Sequence, residues 1–158
     1  MTTTSPRSGP SAEEAPFRAV CTREAIPASV PFLRRFAGAA VDRWELSGEV
    51  RDAVAVVVAE LVINVVVHTT SDDVTLCLGV RDDVLKIEVR DRGYWRPENH
   101  DRADPAPAHA EGGRGLDIVA AYSGVPAVRA TAAGTTVSTD LRLRLRLRLR
   151  PRPRPGTG

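Results

Sequence analysis

The chain is 158 residues long with a formal net charge of +2. That is the length of a single domain, enough to bury a core without metal or disulfides. The near-neutral balance hides an asymmetry: residues 141–158 hold seven Arg and no acid, leaving 15 basic against 20 acidic residues elsewhere. An acidic body argues against a dedicated nucleic-acid binder, whose basic patch lies on the folded domain.

Residues 1–16, rich in Thr, Ser, Pro and Glu and without periodicity, read as a disordered N-terminus with no apolar run of the signal-peptide kind. "FRAVCTRE" alternates as an edge strand does. A helix follows, with Ser29 as its expected cap, Pro31 in its first turn and a stripe of Leu33, Phe36, Ala37, Ala40, Val41 and Trp44. Ser47-Gly48 breaks it and can cap the next element. The Val-rich run 49–68 has the composition of a strand but a length near 20 residues, which favours helix. Residues 73–81 and 84–91 alternate as a hairpin around Asp82-Asp83.

A polar, Pro-rich loop spans 92–111 and is long enough to imply a use. A short helix is expected over 115–122, then strands near 125–131 and 134–144. The order β-α-α-β-β-loop-α-β-β implies a two-layer α/β sandwich, a mixed and mostly antiparallel sheet with helices on one face. Cys21 and Cys77 lie far apart in sequence and read as small buried side chains of a reducing cytoplasm. No segment offers ~18 uninterrupted apolar residues, so no membrane span is expected.

Four short stretches carry possible chemistry. On the 49–68 helix, Val57, Glu60, Leu61, Asn64 and His68 share one face. Either that edge is exposed, or the polar trio lines a pocket in which a carboxylate base sits beside an oxygen ligand for Mg²⁺. In "VRDRGYW", Asp91 ends a strand, and Gly93 allows close approach of backbone or ligand. In "EGGRGLDIV", glycines 112, 113 and 115 lead into a helix start, which suits either a hinge or a phosphate cradle. The stretch lacks the Gly-Lys-Ser/Thr of a P-loop and the spacing of a Rossmann fingerprint. In "AAGTTVSTDL", Gly134 and Thr135 open the last strand.

Taken in order, Glu-x-x-x-Asn on a helix, Asp-x-Gly after a hairpin, Gly-x-Gly-Leu before a helix and Gly-Thr on a late strand resemble the GHKL (Bergerat-type) ATP-binding fold of gyrase and histidine kinases. Within it, "ELVINVVVH" and "GGRGLDIV" look most like the stand-alone anti-sigma-factor serine/threonine kinases of actinobacteria. The likeness covers residues 17–144. It implies ATP and Mg²⁺ as cofactors, with Glu60 as general base and Asn64 as the Mg²⁺ ligand. It also implies that Asp91 accepts from the adenine amino group with Gly93 behind the base and Thr135 supporting that aspartate. Gly113, Arg114, Gly115 and Leu116 would hold the phosphates, and 94–111 would form a lid. Trp95 stands where the family often has a second glycine, and Val65 where a small residue often follows the Asn.

The resemblance further implies a cytoplasmic regulator of transcription whose partners are a sigma factor and an anti-anti-sigma protein substrate, and it allows a homodimer. The alternative is a nucleotide- and partner-binding module without phosphotransfer. The tail 145–158 continues a Leu-Arg alternation whose leucines keep the phase of Val137 and Thr139. A strand from Val137 to Leu149 would run roughly 40 Å, about twice the usual length. Leu141 and Leu143 are therefore expected to be buried and the later leucines to overhang, as an extension with no specific nucleic-acid role.

Overall fold

The computed structural model describes Ala12, residues 15–94 and residues 114–144. Eight elements follow one another in the expected order: β1 (Phe17–Glu24), α1 (Ser29–Arg43), α2 (Gly48–His68), β2 (Asp73–Arg81), β3 (Val84–Asp91), α3 (Arg114–Tyr122), β4 (Ala127–Thr131) and β5 (Gly134–Arg142). The five strands form one sheet in the order β1-β2-β3-β5-β4, and all four pairings are antiparallel. The sheet expected to be mixed thus has no parallel pair among the described residues. No helix among them is long and apolar enough to cross a membrane.

The Val-rich run 49–68 is a helix because of where it lies. α2 packs against α1, against α3 and over strands β2 and β3. Val54, Val57, Val58, Leu61, Val62 and Val65 are all buried. Valine in place of alanine costs a helix at most about 0.7 kcal/mol per residue, whereas burying a Val or Leu side chain contributes about 1.5–3 kcal/mol. Tertiary burial therefore outweighs local preference. Ser47 caps α2 as expected, its hydroxyl accepting from Val50 N at 3.3 Å. From the sheet, Val74, Leu76, Leu78, Leu85, Ile87, Val89 and Val137 complete the core, and from α1 Leu33, Ala37, Ala40 and Val41.

Four local expectations are corrected. Ser29 does not cap α1. Its backbone is already helical and Ala28 holds the cap position, because a tight turn, with Ser29 N donating to Ile26 O at 2.9 Å, starts the helix one residue early. The Ser29 hydroxyl instead donates back to Glu24 O at 2.7 Å. β4 begins at Ala127 rather than 125, since Pro126 has no N–H for a ladder and Gly124 N is already bonded to Asp140 O at 2.8 Å. β5 stops at Arg142 rather than 144, since its partner β3 begins at Val84. The last bond on that side is Leu143 N to Asp83 O at 2.7 Å. Leu143 is buried as expected, whereas Leu141, expected to be buried too, is only half-buried and packs against the core; both keep the expected phase.

Candidate functional site

The site grows from the C-terminal half of α2. Glu60 and Asn64 stand one turn apart, and the first turn of α3 lies directly over them. A Cβ built on Gly115 would sit 3.1 Å from Glu60 Oε2, 3.4 Å from Asn64 Oδ1 and 3.5 Å from Asn64 Nδ2. Glycine thus lets α3 approach Glu60 without pressing on its carboxylate, while the distances to Asn64 are ordinary van der Waals contacts. Asn64 is 94% buried (relative exposure 6%), and its Nδ2 lacks a hydrogen-bond partner among the described residues. Buried polar groups are nearly always satisfied, so an orphan at a helix start asks for a missing partner. The first-turn N–H groups of α3 have no carbonyl partner within that helix, and together with the positive end of its dipole they favour an anion nearby.

The second half is built by the sheet. Asp91 at the end of β3 pairs in register with Thr135 at the start of β5, on the helix-covered face. Its side chain is buried, and Oδ1 accepts from Gly93 N at 2.9 Å. Burial pushes the Asp91 carboxyl above the usual carboxylate range. The backbone N–H groups of Gly93 and Thr135 pull the other way, and nearby Asp73 adds a smaller upward push. Gly134 has φ +130°, a conformation side chains rarely adopt, and a Cβ there would collide with the Asp91–Arg92 backbone. Gly134 is therefore what lets Thr135 reach Asp91. Gly93 plays a similar part on the other side, since its missing side chain leaves room for the Thr70–Ser71 backbone.

Of the residues singled out from sequence, Glu60, Asn64 and Gly115 come together as one cluster, and Asp91, Gly93 and Thr135 as another. Arg114 is exposed at the first position of α3, and Leu116 packs against the core. Val65, one residue past Asn64, points into the core at 3% exposure. His68 is half-buried in the last turn of α2. Gly113, Trp95 and the 95–111 part of the expected lid lie outside the described residues, as does the tail from Leu145.

Sequence reasoning missed the clip that fastens the start of the long loop. Ser71 Oγ accepts from Arg92 N at 3.0 Å and donates to Asp73 O at 2.6 Å. Thr70 Oγ1 accepts from Tyr94 N at 3.3 Å, and Arg92 pairs with Asp73 at 2.6 Å. The only signal was the run "TTSDD" after α2, hydroxyls and acids of the kind that bond local backbone.

A crystal structure of the RsbU and RsbW domains of Rv1364c from Mycobacterium tuberculosis superposes with a TM-score of 0.62 over 80% of this chain, at 18% identity. At that identity the likeness speaks for the fold, and the match spans about a third (32%) of the length of that chain. No curated protein matches the sequence. The histidine kinase-like ATPase domain family matches residues 24–140, most of the chain and every element from α1 through β4. With Glu60 and Asn64 beneath the start of α3 and Asp91 in the sheet behind, the chain belongs to the histidine kinase-like ATPase domain family.

Proposed function

We propose that this chain binds Mg-ATP in the cytoplasm and acts as a serine/threonine protein kinase of the anti-sigma-factor type, phosphorylating an antagonist protein. The observation that carries the proposal is the contact of α3's first turn, at Gly115, with Glu60 and Asn64. That places a carboxylate, an amide oxygen and a helix N-terminus around one point.

The residues suit the ligand. Mg²⁺ prefers oxygen ligands and is usually held by one or two protein oxygens together with substrate phosphates. Asn64 Oδ1 offers such an oxygen. Among the described residues there is no group of three His, Cys, Asp or Glu side chains that would make a dedicated metal cage. Gly115, Arg114 and the α3 amides would take the phosphates, with Gly113 just before them. Leu116 would anchor that turn through the core. Asp91 would accept from the adenine amino group, with Gly93 and Thr135 holding its carboxylate in place. Bound ATP supplies the transferable phosphoryl group. In this reading Glu60 takes the proton of the attacking Ser or Thr hydroxyl as its oxygen bonds to phosphorus and the bond to the ADP oxygen breaks.

The fold likeness to the RsbU and RsbW domains of Rv1364c, together with the stretches "ELVINVVVH" and "GGRGLDIV", supports a sigma-factor partner and an anti-anti-sigma substrate. The test has two arms. Calorimetry with Mg-ATP should show stoichiometric binding that weakens without Mg²⁺. Incubation with labelled ATP and candidate antagonist proteins should label a Ser or Thr. Binding without transfer to any partner, and without hydrolysis, would make the chain a nucleotide-dependent binding module instead.

A further inference from the structure

A second concave surface lies at the opposite end of α2 from Glu60 and Asn64. It is an open groove of about 1000 Å³ between the α1–α2 connection and the end of β5. Its floor includes Leu46, Val50, Leu141 and Leu143, and its rim carries Glu45 and Glu49. Both glutamates are exposed and have no ionic partner among the described residues, whereas the neighbouring Asp42 is paired with Arg51 and Asp83 with Arg142. The groove is therefore apolar below, with two acids that form no ion pair among the described residues on the side of the α1–α2 connection and Arg142 and Arg144 along the β5 side.

The chain runs into this groove. β5 loses its ladder partner after Arg142, and Leu143 and Arg144 already line the groove wall. Fourteen residues follow, with three leucines, five arginines and no acid. Leu145 and Leu147 keep the phase of Leu141 and Leu143, whose side chains face the groove. At ~3.3 Å per residue they fall about 7 and 13 Å beyond Leu143. The interleaved arginines have stems long enough to bend toward the rim acids. We propose that the Leu-Arg segment of this same chain, beginning at Leu145, docks along the groove. Leu145 and Leu147 cover its apolar floor, and the arginines neutralise Glu45 and Glu49. The overhang that is too long for the sheet thereby becomes a strap over the α1–α2 connection. The segment is tethered at the groove's edge, so its own groove sees it at an effective concentration in the millimolar range. That favours this occupant over a second copy's tail or a separate basic peptide.

The full-length chain tests this directly by hydrogen exchange. The first-turn amides of α2 have no carbonyl partner within the helix, Val50 N and Arg51 N being bonded only to Ser47 at its cap, so their exchange reports on what covers that cap. In Leu145→Ser/Leu147→Ser, changes outside the ladder that leave the core intact, residues 45–51 should exchange roughly tenfold faster, and residues 60–68 unchanged. Glu45→Lys/Glu49→Lys should speed the same amides and accelerate trypsin cleavage after Arg146 and Arg148, with cleavage after Arg7 unaffected. Each ratio should be the same at tenfold protein dilution, about a decade in concentration. Identical exchange in wild type and the serine variant overturns the proposal. A protection that fades on dilution overturns it too, by assigning the groove to another copy's tail.

Discussion

The two ends of α2 are built from the same Val-rich sequence and treat polar groups in opposite ways. At its N-terminal end the buried and capping groups are satisfied by local chemistry, and the acids Glu45 and Glu49, which form no ion pair among the described residues, lie exposed to water. Ser47 caps Val50, Arg51 pairs with Asp42, and what remains is a hydrophobic groove with a charged rim. At its C-terminal end the helix buries Asn64, whose Nδ2 has no partner among the described residues, and places Glu60 against the glycine of another helix. A stable fold has no reason to leave an amide orphaned beneath a helix start. On the proposed function, the contrast separates a part of the helix shaped by packing from a part that would meet the nucleotide, and every change below either widens that contrast or removes it.

The largest effect is expected at Glu60. Glu60→Ala removes a half-buried side chain at the site and none of the core, so folding and ATP affinity should hold. Phosphotransfer should fall by roughly 10²–10⁴, the range a positioned base supplies. The check is a transfer assay beside calorimetry on the same preparation. Asn64→Ala, one turn on, should instead remove the dependence of ATP affinity on Mg²⁺. A Glu60→Ala protein with full transfer activity would return the C-terminal end of α2 to a packing role.

Next comes Asp91. Asp91→Asn keeps the shape and loses the charge-assisted hydrogen bond, so ATP should bind about ten- to a hundredfold more weakly, or about 1.5–3 kcal/mol. The raised Asp91 pKa adds a pH signature. Folding makes the proton harder to remove, so this residue's contribution to stability is fully present below the ordinary carboxylate pKa of 3.8 and is lost as pH rises through the raised folded value. Nucleotide affinity should run the other way, falling on acidification through that same window as the acceptor is protonated. Denaturant midpoints and ATP titrations across the acid range check the two slopes, and slopes of the same sign would remove Asp91 from the adenine position.

A smaller effect is expected at Gly115. The Cβ of Gly115→Ala would come within 3.1 Å of Glu60 Oε2, the far end of a flexible side chain that can give way. The fold should survive while Glu60 is pushed off its position, lowering transfer about tenfold, equivalent to 1.4 kcal/mol, with less change in affinity. Equal losses in transfer and binding would mean that α3 itself had moved.

These residues also show why some of the molecule was readable before its structure and some was not. Period-two and helical patterns located all eight elements, because core positions such as Leu76, Leu78 and Leu33 obey local periodicity. The expected polar stripe of α2 was legible because Glu60 and Asn64 break an otherwise apolar face. Two things were hidden because they depend on contacts distant in sequence: β5 ends where β3 begins, and the missing side chain of Gly93 makes room for Thr70–Ser71. Thr70 and Ser71 were overlooked for the same reason. Their bonds to residues 92 and 94 become local only after the hairpin has folded. The start of α1 was missed for a nearer reason, the turn that bonds Ser29 N to Ile26 O and frees the Ser29 hydroxyl for Glu24 O at the end of β1.

The smallest effect tests the other end of α2. The Ser47 hydroxyl is the N-cap acceptor for Val50, at a long 3.3 Å, so Ser47→Ala should cost about 0.5–1 kcal/mol of stability, the low end for a lost cap. Thermal or urea denaturation would read that loss. The N-terminal end lies about 18 Å from Glu60 along the axis, at 1.5 Å per residue over 12 residues. With no shared partners between the two places, the energies should add, and ATP affinity and transfer should not change. If Ser47→Ala weakened ATP binding beyond its small loss of stability, α2 would be acting as one mechanical unit. The packing end and the ligand end would then be coupled, and the separation drawn between them would fail.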